Sequence, residues 1–275
     1  MKQNDISIII LLFQTPKKLI KNLKIYKDFK ILVLDQGNDK KLEKYFRNFF
    51  PNLEFYKSTK ENLGFAKGIN YLVRKVKTKY FLCTQPDIFI QKKSILNLRR
   101  PFEYNKKCIL SVPAIRGFEK YKKRKKNKIY EIENFIGAIF MGEKKKFLEL
   151  KMFDENFFFY WEDIDFSSRI LKSKYNIFIN HDSKAIHTWS STKLNISSMF
   201  IKNSNFKYGE YLYQYKNKKL KTVKILRQPF AYLFLCLLNL MVLNPKKSLE
   251  NLFNIYGIVK FIIFILVKKP KILIT

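Results

Sequence analysis

Residues 30–39 read KILVLDQGND, four apolar residues closed by an acid and followed by a polar, glycine-containing turn. A strand buried on both faces reads as such a continuous β-rich run, and ligands of open α/β sheets lie beyond the carboxyl ends of the strands. Working outward from it, the pattern repeats. Upstream, Ile6 to Leu12 is a first buried strand and Pro16 to Tyr26 a helix opened by Thr15 and Pro16. Downstream, Asp39 to Phe49 has helical spacing, Leu53 to Tyr56 is a short strand, Gly64 to Val76 a helix, and Tyr80 to Thr84 (YFLCT) a fourth strand. Strands alternating with helices need crossover connections, so the fold class is α/β with a central, mainly parallel sheet. Asp35 ends the VLD strand and Asp87 follows YFLCTQP, which puts two acids at the ligand-binding edge.

The second half is less regular. Ile109 to Val112 is a strand, and the basic stretch RGFEKYKKRKKNK, 116 to 128, is an exposed loop. FIGAIFM, 135 to 141, is a buried apolar run in which Gly137 marks a close approach of backbone or ligand. Lys144 to Leu150 and Trp161 to Ser173 are helices, and NIFIN and AIH two short strands. The three cysteines, Cys83, Cys108 and Cys236, are far apart and lack CxxC spacing, which excludes a disulfide framework or zinc cluster and fits a reducing compartment. The run from Ile6 to Phe13 has no small-residue cleavage site after it and reads as a strand, not a signal peptide.

The formal charge of +33 at pH 7 invites a nucleic-acid reading, because Lys and Arg neutralise phosphates without regard to sequence. Lys, Asn, Ile, Phe and Tyr are enriched together, however, as A/T-rich coding would produce. The charge therefore informs surface behaviour and not fold, and no nucleic-acid partner is expected. Composition shifts at about residue 216, dividing a domain at 1–215 from a tail at 216–275 that carries a net +11. Within the tail, Phe230 to Leu243 and Leu252 to Val267 are apolar, the second interrupted by Lys260. Each falls short of the ~20 residues that span a bilayer. Basic flanks on such helices suit peripheral association with an anionic membrane, and the same segments could instead pack on the domain or on a second copy.

FFFYWEDIDFSSR, 157 to 169, sets five aromatic residues before Glu162, Asp163 and Asp165 in a chain with only 22 acids. Like charges so close repel, so cation, proton or function must compensate them. Asp165 stands four residues before Arg169, the spacing of a helical ion pair. Acids at two strand ends, the segment ENLGFAKGIN at 61 to 70 and this cluster together suggest a nucleotide ligand with a metal-bound diphosphate. The segment is neither GxGxxG nor a Walker sequence.

The order VLDQGND (33–39), ENLGFAKGIN (61–70), TQPDI (84–88), FIGAIFM (135–141), FDENFFFYWEDIDFSSR (153–169) and AIH (185–187) resembles glycosyltransferase family 2, the inverting GT-A enzymes, and within it the bacterial rhamnosyltransferase-like branch. The resemblance covers roughly residues 5 to 200. It implies that Asp35 lies under the base or ribose and that Asn62, Gly64, Gly68 and Asn70 line the donor site. It implies that Asp87 is the acid of a DxD-like motif holding Mg²⁺ or Mn²⁺ on the donor diphosphate, joined by His187, although Gln85 stands where many relatives carry Asp or Asn. It implies that Asp163 is the general base, with Glu162 beside it. The implied reaction moves a sugar, with dTDP-rhamnose the preferred donor, to a glycan or lipid-linked saccharide during cell-surface polysaccharide synthesis, in the cytoplasm at the inner membrane face. The rival from another class is a catalytically decayed basic protein that binds nucleic acid or anionic membrane.

Overall fold

A computed structural model describes residues 3–37, 39, 41–58, 62–117, 128–188 and 195–268, so residues 118–127 of the basic loop lie outside the described part. In chain order the elements are β1 (Ile6–Leu12), α1 (Lys17–Ile20, continued by a 3-10 segment, Lys21–Tyr26), β2 (Lys30–Asp35), α2 (Leu42–Arg47), β3 (Leu53–Lys57), α3 (Gly64–Lys75), β4 (Tyr80–Thr84), β5 (Ile88–Ile90), α4 (Lys92–Asn97), α5 (Arg100–Tyr104), β6 (Cys108–Arg116), β7 (Ile129–Ile132), β8 (Phe140–Glu143), α6 (Lys144–Glu149), α7 (Glu162–Leu171), β9 (Asn176–His187), α8 (Ile196–Lys216), α9 (Thr222–Met241) and α10 (Pro245–Lys268). They form two compact units: Met1–Glu155 with Asp163–Thr192, and Asn156–Glu162 with Lys193–Thr275.

The first unit is mixed α/β, built on one sheet of order β3-β2-β1-β4-β8-β6-β9-β5, with β7 paired to β9. The first half is parallel, as the alternation requires: β1 pairs β2 and β4, and β2 pairs β3. Beyond β4 the sheet departs from the expectation, because β8 runs antiparallel to both β4 and β6. Among the described residues there, β6 with β9 restores a parallel pair. β1 is buried almost throughout, and Ile6, Ile8, Ile10 and Leu12 join Ile31 and Val33 of β2 in the main core. That double-sided burial is what the continuous apolar runs encode.

Several elements differ from the sequence reading. The helix expected over 16–26 is a single α-turn followed by a 3-10 segment. NIFIN and AIH are one strand, β9, whose pairing with β6 shifts register between Pro113 and Ala114, so His181, Asp182 and Ser183 bulge out of that ladder while the strand continues. Helices α4 and α5 and strands β5 and β7 are short and had no separate signal.

The second unit is helical, and its core gathers Phe157, Tyr208, Tyr211, Leu212, Ile258 and Phe261. Here the apolar segments are longer than their sequence limits suggested. The α9 helix has 20 residues and continues through Pro229, and α10 has 24, so both are long and apolar enough to cross a membrane by length and composition. Helix α8, on the domain side of the composition break at 216, belongs to this unit.

Candidate active site

The site follows from sheet register. In the parallel ladder Leu12 stands opposite Asp35 and Ile10 opposite Thr84, so the carboxyl ends of β2, β1 and β4 share one edge. Asp35 is buried there, accepting the Gly37 N–H at 2.9 Å on Oδ1 and the Asp39 N–H at 3.0 Å on Oδ2. Both oxygens thereby shape the turn after β2. Gln36, unremarked in the sequence reading, ties that turn to the next helix by accepting the Leu63 N–H at 2.8 Å and donating to the Gly64 carbonyl at 3.4 Å.

Residues of the ENLGFAKGIN segment divide by role. The Asn62 side chain accepts the Gly64 N–H at 2.9 Å, and Gly64 opens α3 with φ +77°, a left-handed conformation suited to glycine. Both lie at the start of α3, facing the turn after β2 through Gln36. Gly68 is a packing glycine, since a Cβ there would lie 2.9 Å from Leu11 Cδ2. Asn70 is buried and holds a distant segment: its amide donates to the Phe153 carbonyl at 2.9 Å and to Glu155 at 3.0 Å, and its oxygen accepts the Phe153 N–H at 3.1 Å. The structure therefore brings Asn62 and Gly64 to the edge carrying Asp35, and engages Gly68 and Asn70 in packing the first unit.

Past β4, the Gln85 carbonyl accepts the Ile88 N–H at 3.1 Å and closes the turn that carries Asp87. Strand β5 then pairs antiparallel with β9, setting Ile88 opposite His187. The result is a fully buried Asp87 carboxylate with His187 Nε2 3.3 Å from its Oδ2. A carboxylate oxygen and an imidazole nitrogen held together at a ligand edge suit a small divalent cation. Among the described residues, no group of three or more His, Cys, Asp or Glu side chains could hold a metal ion. Among the described residues this pair is therefore the most the protein offers such an ion at this edge.

Asp163 reaches the same edge by another route. Because Phe140 opens β8 opposite Cys83, the loop before β8 lies past the carboxyl end of β4. Its Gly137 N–H donates to Asp163 Oδ2 at 2.9 Å, while Asp163 Oδ1 accepts the Ile164 N–H at 2.9 Å. Gly137 is the close approach expected of it, since an added Cβ would lie 3.3 Å from the Phe65 ring and 3.6 Å from Asp163 Cβ.

The three clustered acids thus have three environments. Asp165 pairs with Arg169 at 3.1 Å, both side chains buried, as the i,i+4 spacing predicted. Asp163 is half-buried and bound by two backbone N–H groups. Glu162, the first residue of α7, is buried and groups with the helical unit; burial, together with the Glu162 charge, pushes the Tyr160 phenol up to about 12. The chain enters α7 through Tyr160 and Trp161, both left-handed at φ +70° and +72°. Such a conformation costs bulky residues about 1–3 kcal/mol each and persists only where packing enforces it. Gly209 leaves room for it here, because a Cβ on it would lie 2.9 Å from Trp161 and 3.1 Å from the Tyr160 carbonyl. Nothing in the sequence signals left-handed aromatic residues.

A family model described as Glycosyl transferase family 2 matches residues 7–167. No curated protein sequence matches the chain. Among solved structures, a mannosyltransferase from Pyrobaculum calidifontis, PcManGT in complex with GDP-Man and Mn²⁺, aligns with a TM-score of 0.60 at 12% identity, over 95% of this chain and 88% of that one. Residues 1–349 of S. aureus TarS align at 0.55 and 13% identity, over 93% of this chain and 91% of that one. GalNAc-T7 with UDP, GalNAc and Mn²⁺ aligns at 0.60 and 12% identity, covering 80% of this chain and 52% of that one, so this chain spans about half its length.

Proposed function

The chain belongs to glycosyltransferase family 2, and on that premise we propose that it moves a sugar from a nucleotide-sugar donor to a hydroxyl of a glycan or lipid-linked saccharide, inverting the anomeric centre. The observation that carries the site assignment is the shared edge of the sheet. Asp35, the Asp87–His187 pair and the Gly137-bound Asp163 all lie beyond the carboxyl ends of β2 and β4 or beside them.

In this reading the turn after β2, shaped by Asp35 and latched by Gln36 to the start of α3, receives the nucleoside. Asp87 and His187 would hold Mg²⁺ or Mn²⁺, which supplies charge neutralisation of the departing diphosphate. Asp163 takes the proton from the acceptor hydroxyl as the oxygen attacks C1 on the face opposite the leaving diphosphate, so one bond forms as the other breaks and the configuration inverts. Its two backbone hydrogen bonds fix the carboxylate for that transfer.

Within this class dTDP-rhamnose is the donor we propose, on the motif order alone, and cell-surface polysaccharide synthesis at the cytoplasmic membrane face is the setting. PcManGT with GDP-Man and Mn²⁺, and GalNAc-T7 with UDP and Mn²⁺, lend support to a metal-dependent nucleotide-sugar reaction. The test is a panel of nucleotide sugars scored for thermal stabilisation and for hydrolysis with and without Mn²⁺. A metal-dependent response to one donor supports the reading, and indifference to every donor opposes it.

A further inference from the structure

We infer that α9 lies in the plane of an anionic bilayer, with the stripe Val223, Leu226, Phe230, Phe234, Leu237 and Met241 seated among acyl chains. These six residues recur every third or fourth position, so they share one face, and each is 55–80% exposed. Away from this most exposed stripe the helix meets the rest of the unit at three points, and the leucines between them, Leu233, Leu235, Leu238 and Leu240, are 40–51% exposed. Lys224 Nζ donates to Glu210 at 2.6 Å and to Gln214 at 3.1 Å, Gln228 accepts from the Tyr211 hydroxyl at 2.7 Å, and Cys236 Sγ lies 2.8 Å from Ser248 Oγ. Helix α10 adds a second exposed stripe, Leu252, Tyr256, Val259, Ile263 and Leu266, at the same spacing. Lys260, which interrupts its apolar run, turns out of that stripe to donate to Asn205 at 2.9 Å.

Length and composition alone would let α9 and α10 cross the bilayer as a hairpin. Their partner helix excludes it. Helix α8 runs alongside α10 in the same direction, with Phe200 against Phe253 and Tyr256, Tyr208 against Phe264 and Tyr211 against Phe261. It carries Lys202, Lys207, Glu210 and Lys216 along that length, so α10 could enter hydrocarbon only with these charges beside it. The basic groups fit the planar arrangement as well. Lys218, Lys219 and Lys221 precede α9, Arg227 lies on it, and Lys246 and Lys247 follow it, all of them exposed. Cations at both ends match one anionic surface touched along its length, whereas a crossing would put Lys246 and Lys247 on the far side.

This inference deepens the reading of a membrane-borne acceptor, and its test uses neither donor nor acceptor. The full chain is mixed with phosphatidylglycerol vesicles or with phosphatidylcholine vesicles and floated on a gradient. We expect binding to the anionic vesicles that falls at least tenfold in a Phe230→Glu, Phe234→Glu double variant and in a Lys218→Gln, Lys219→Gln, Lys221→Gln triple variant. Circular dichroism and Mn²⁺-dependent nucleotide binding should stay unchanged. A membrane-impermeant amine reagent added outside bound vesicles should label Lys246 and Lys247 as fully as Lys219. Absence of binding, equal binding by the phenylalanine variant, or protection of Lys246 and Lys247 would overturn the proposal. So would a dimer in solution that the phenylalanine variant dissociates, because a second copy would then cover the stripe. Loss of nucleotide binding with vesicle binding intact would oppose only the catalytic reading.

Discussion

Replacing Arg169 with Met isolates the part of the acid cluster that is structural. The guanidinium donates three hydrogen bonds, Nε to Asp165 at 3.1 Å, Nη1 to the Leu150 carbonyl and Nη2 to the Met152 carbonyl, and lies 4.8 Å from the centre of the Phe166 ring. It therefore clamps α7 onto the segment where Lys151 and Met152 take left-handed conformations, φ +58° and +56°. Met keeps the apolar stem but leaves the Asp165 carboxylate buried without its cation and two carbonyls without their donor. Removing one partner of a buried ion pair costs about 3–5 kcal/mol. For a unit of this size each kcal/mol moves Tm by roughly 2–4 °C, so the fall should be about 6–20 °C. Urea unfolding followed by circular dichroism gives the free energy, and a thermal scan gives Tm. Asp165→Leu combined with Arg169→Met should recover part of the loss, since an apolar pair replaces a buried ion pair at little cost. Arg169→Met within about 1 kcal/mol of wild type would refute the reasoning and return Asp165 to the functional acids.

In the helical unit, burial disfavours the Glu210 carboxylate, but hydrogen bonds from Lys207 and Lys224 outweigh it and hold its pKa below the ordinary 4.5. The stabilisation is therefore present above about pH 4.5 and lost as pH falls through the lower folded value, so amides of α8 and α9 should lose exchange protection on acidification. Glu210→Gln should remove that dependence, and an unchanged acid profile in this variant would contradict the assignment. At the sheet edge, Asp87→Asn and His187→Gln should each weaken Mn²⁺-dependent nucleotide-diphosphate binding by at least tenfold in calorimetry while leaving the melting curve in place. Full wild-type turnover in EDTA would contradict it.

The N-terminal half of the sheet was legible because each of its buried strands is a short apolar run between turn residues, and KILVLD and YFLCT keep their limits in the structure. The antiparallel insertion of β8 between β4 and β6 was not legible. FIGAIFM is apolar whichever way it runs, and its direction is set by partners distant in sequence. Asp35, Asp87 and His187 were readable as acids at strand ends or through the resemblance. By contrast, Gln36 acts through contacts 27 and 28 residues away and Asn70 through contacts 83 and 85 residues away, and no local pattern announces them. The Asp165–Arg169 pair was readable from helical spacing alone. From sequence the tail falls short of a span because its first apolar segment starts after Pro229 and its second is interrupted by Lys260. One lies inside α9, and the other is absorbed by Asn205 within the unit.

The most direct test of the catalytic account is Asp163→Asn, with donor affinity measured by calorimetry and transfer by product formation on the same preparations. The substitution keeps the shape and the Gly137 contact within reach but removes the proton acceptor. Turnover should therefore fall by about 10²- to 10⁴-fold while donor affinity stays at the wild-type value, with Glu162→Gln the milder of the two variants. Donor affinity falling in proportion to turnover, or Glu162→Gln proving the inactive variant, would contradict Asp163 as the base.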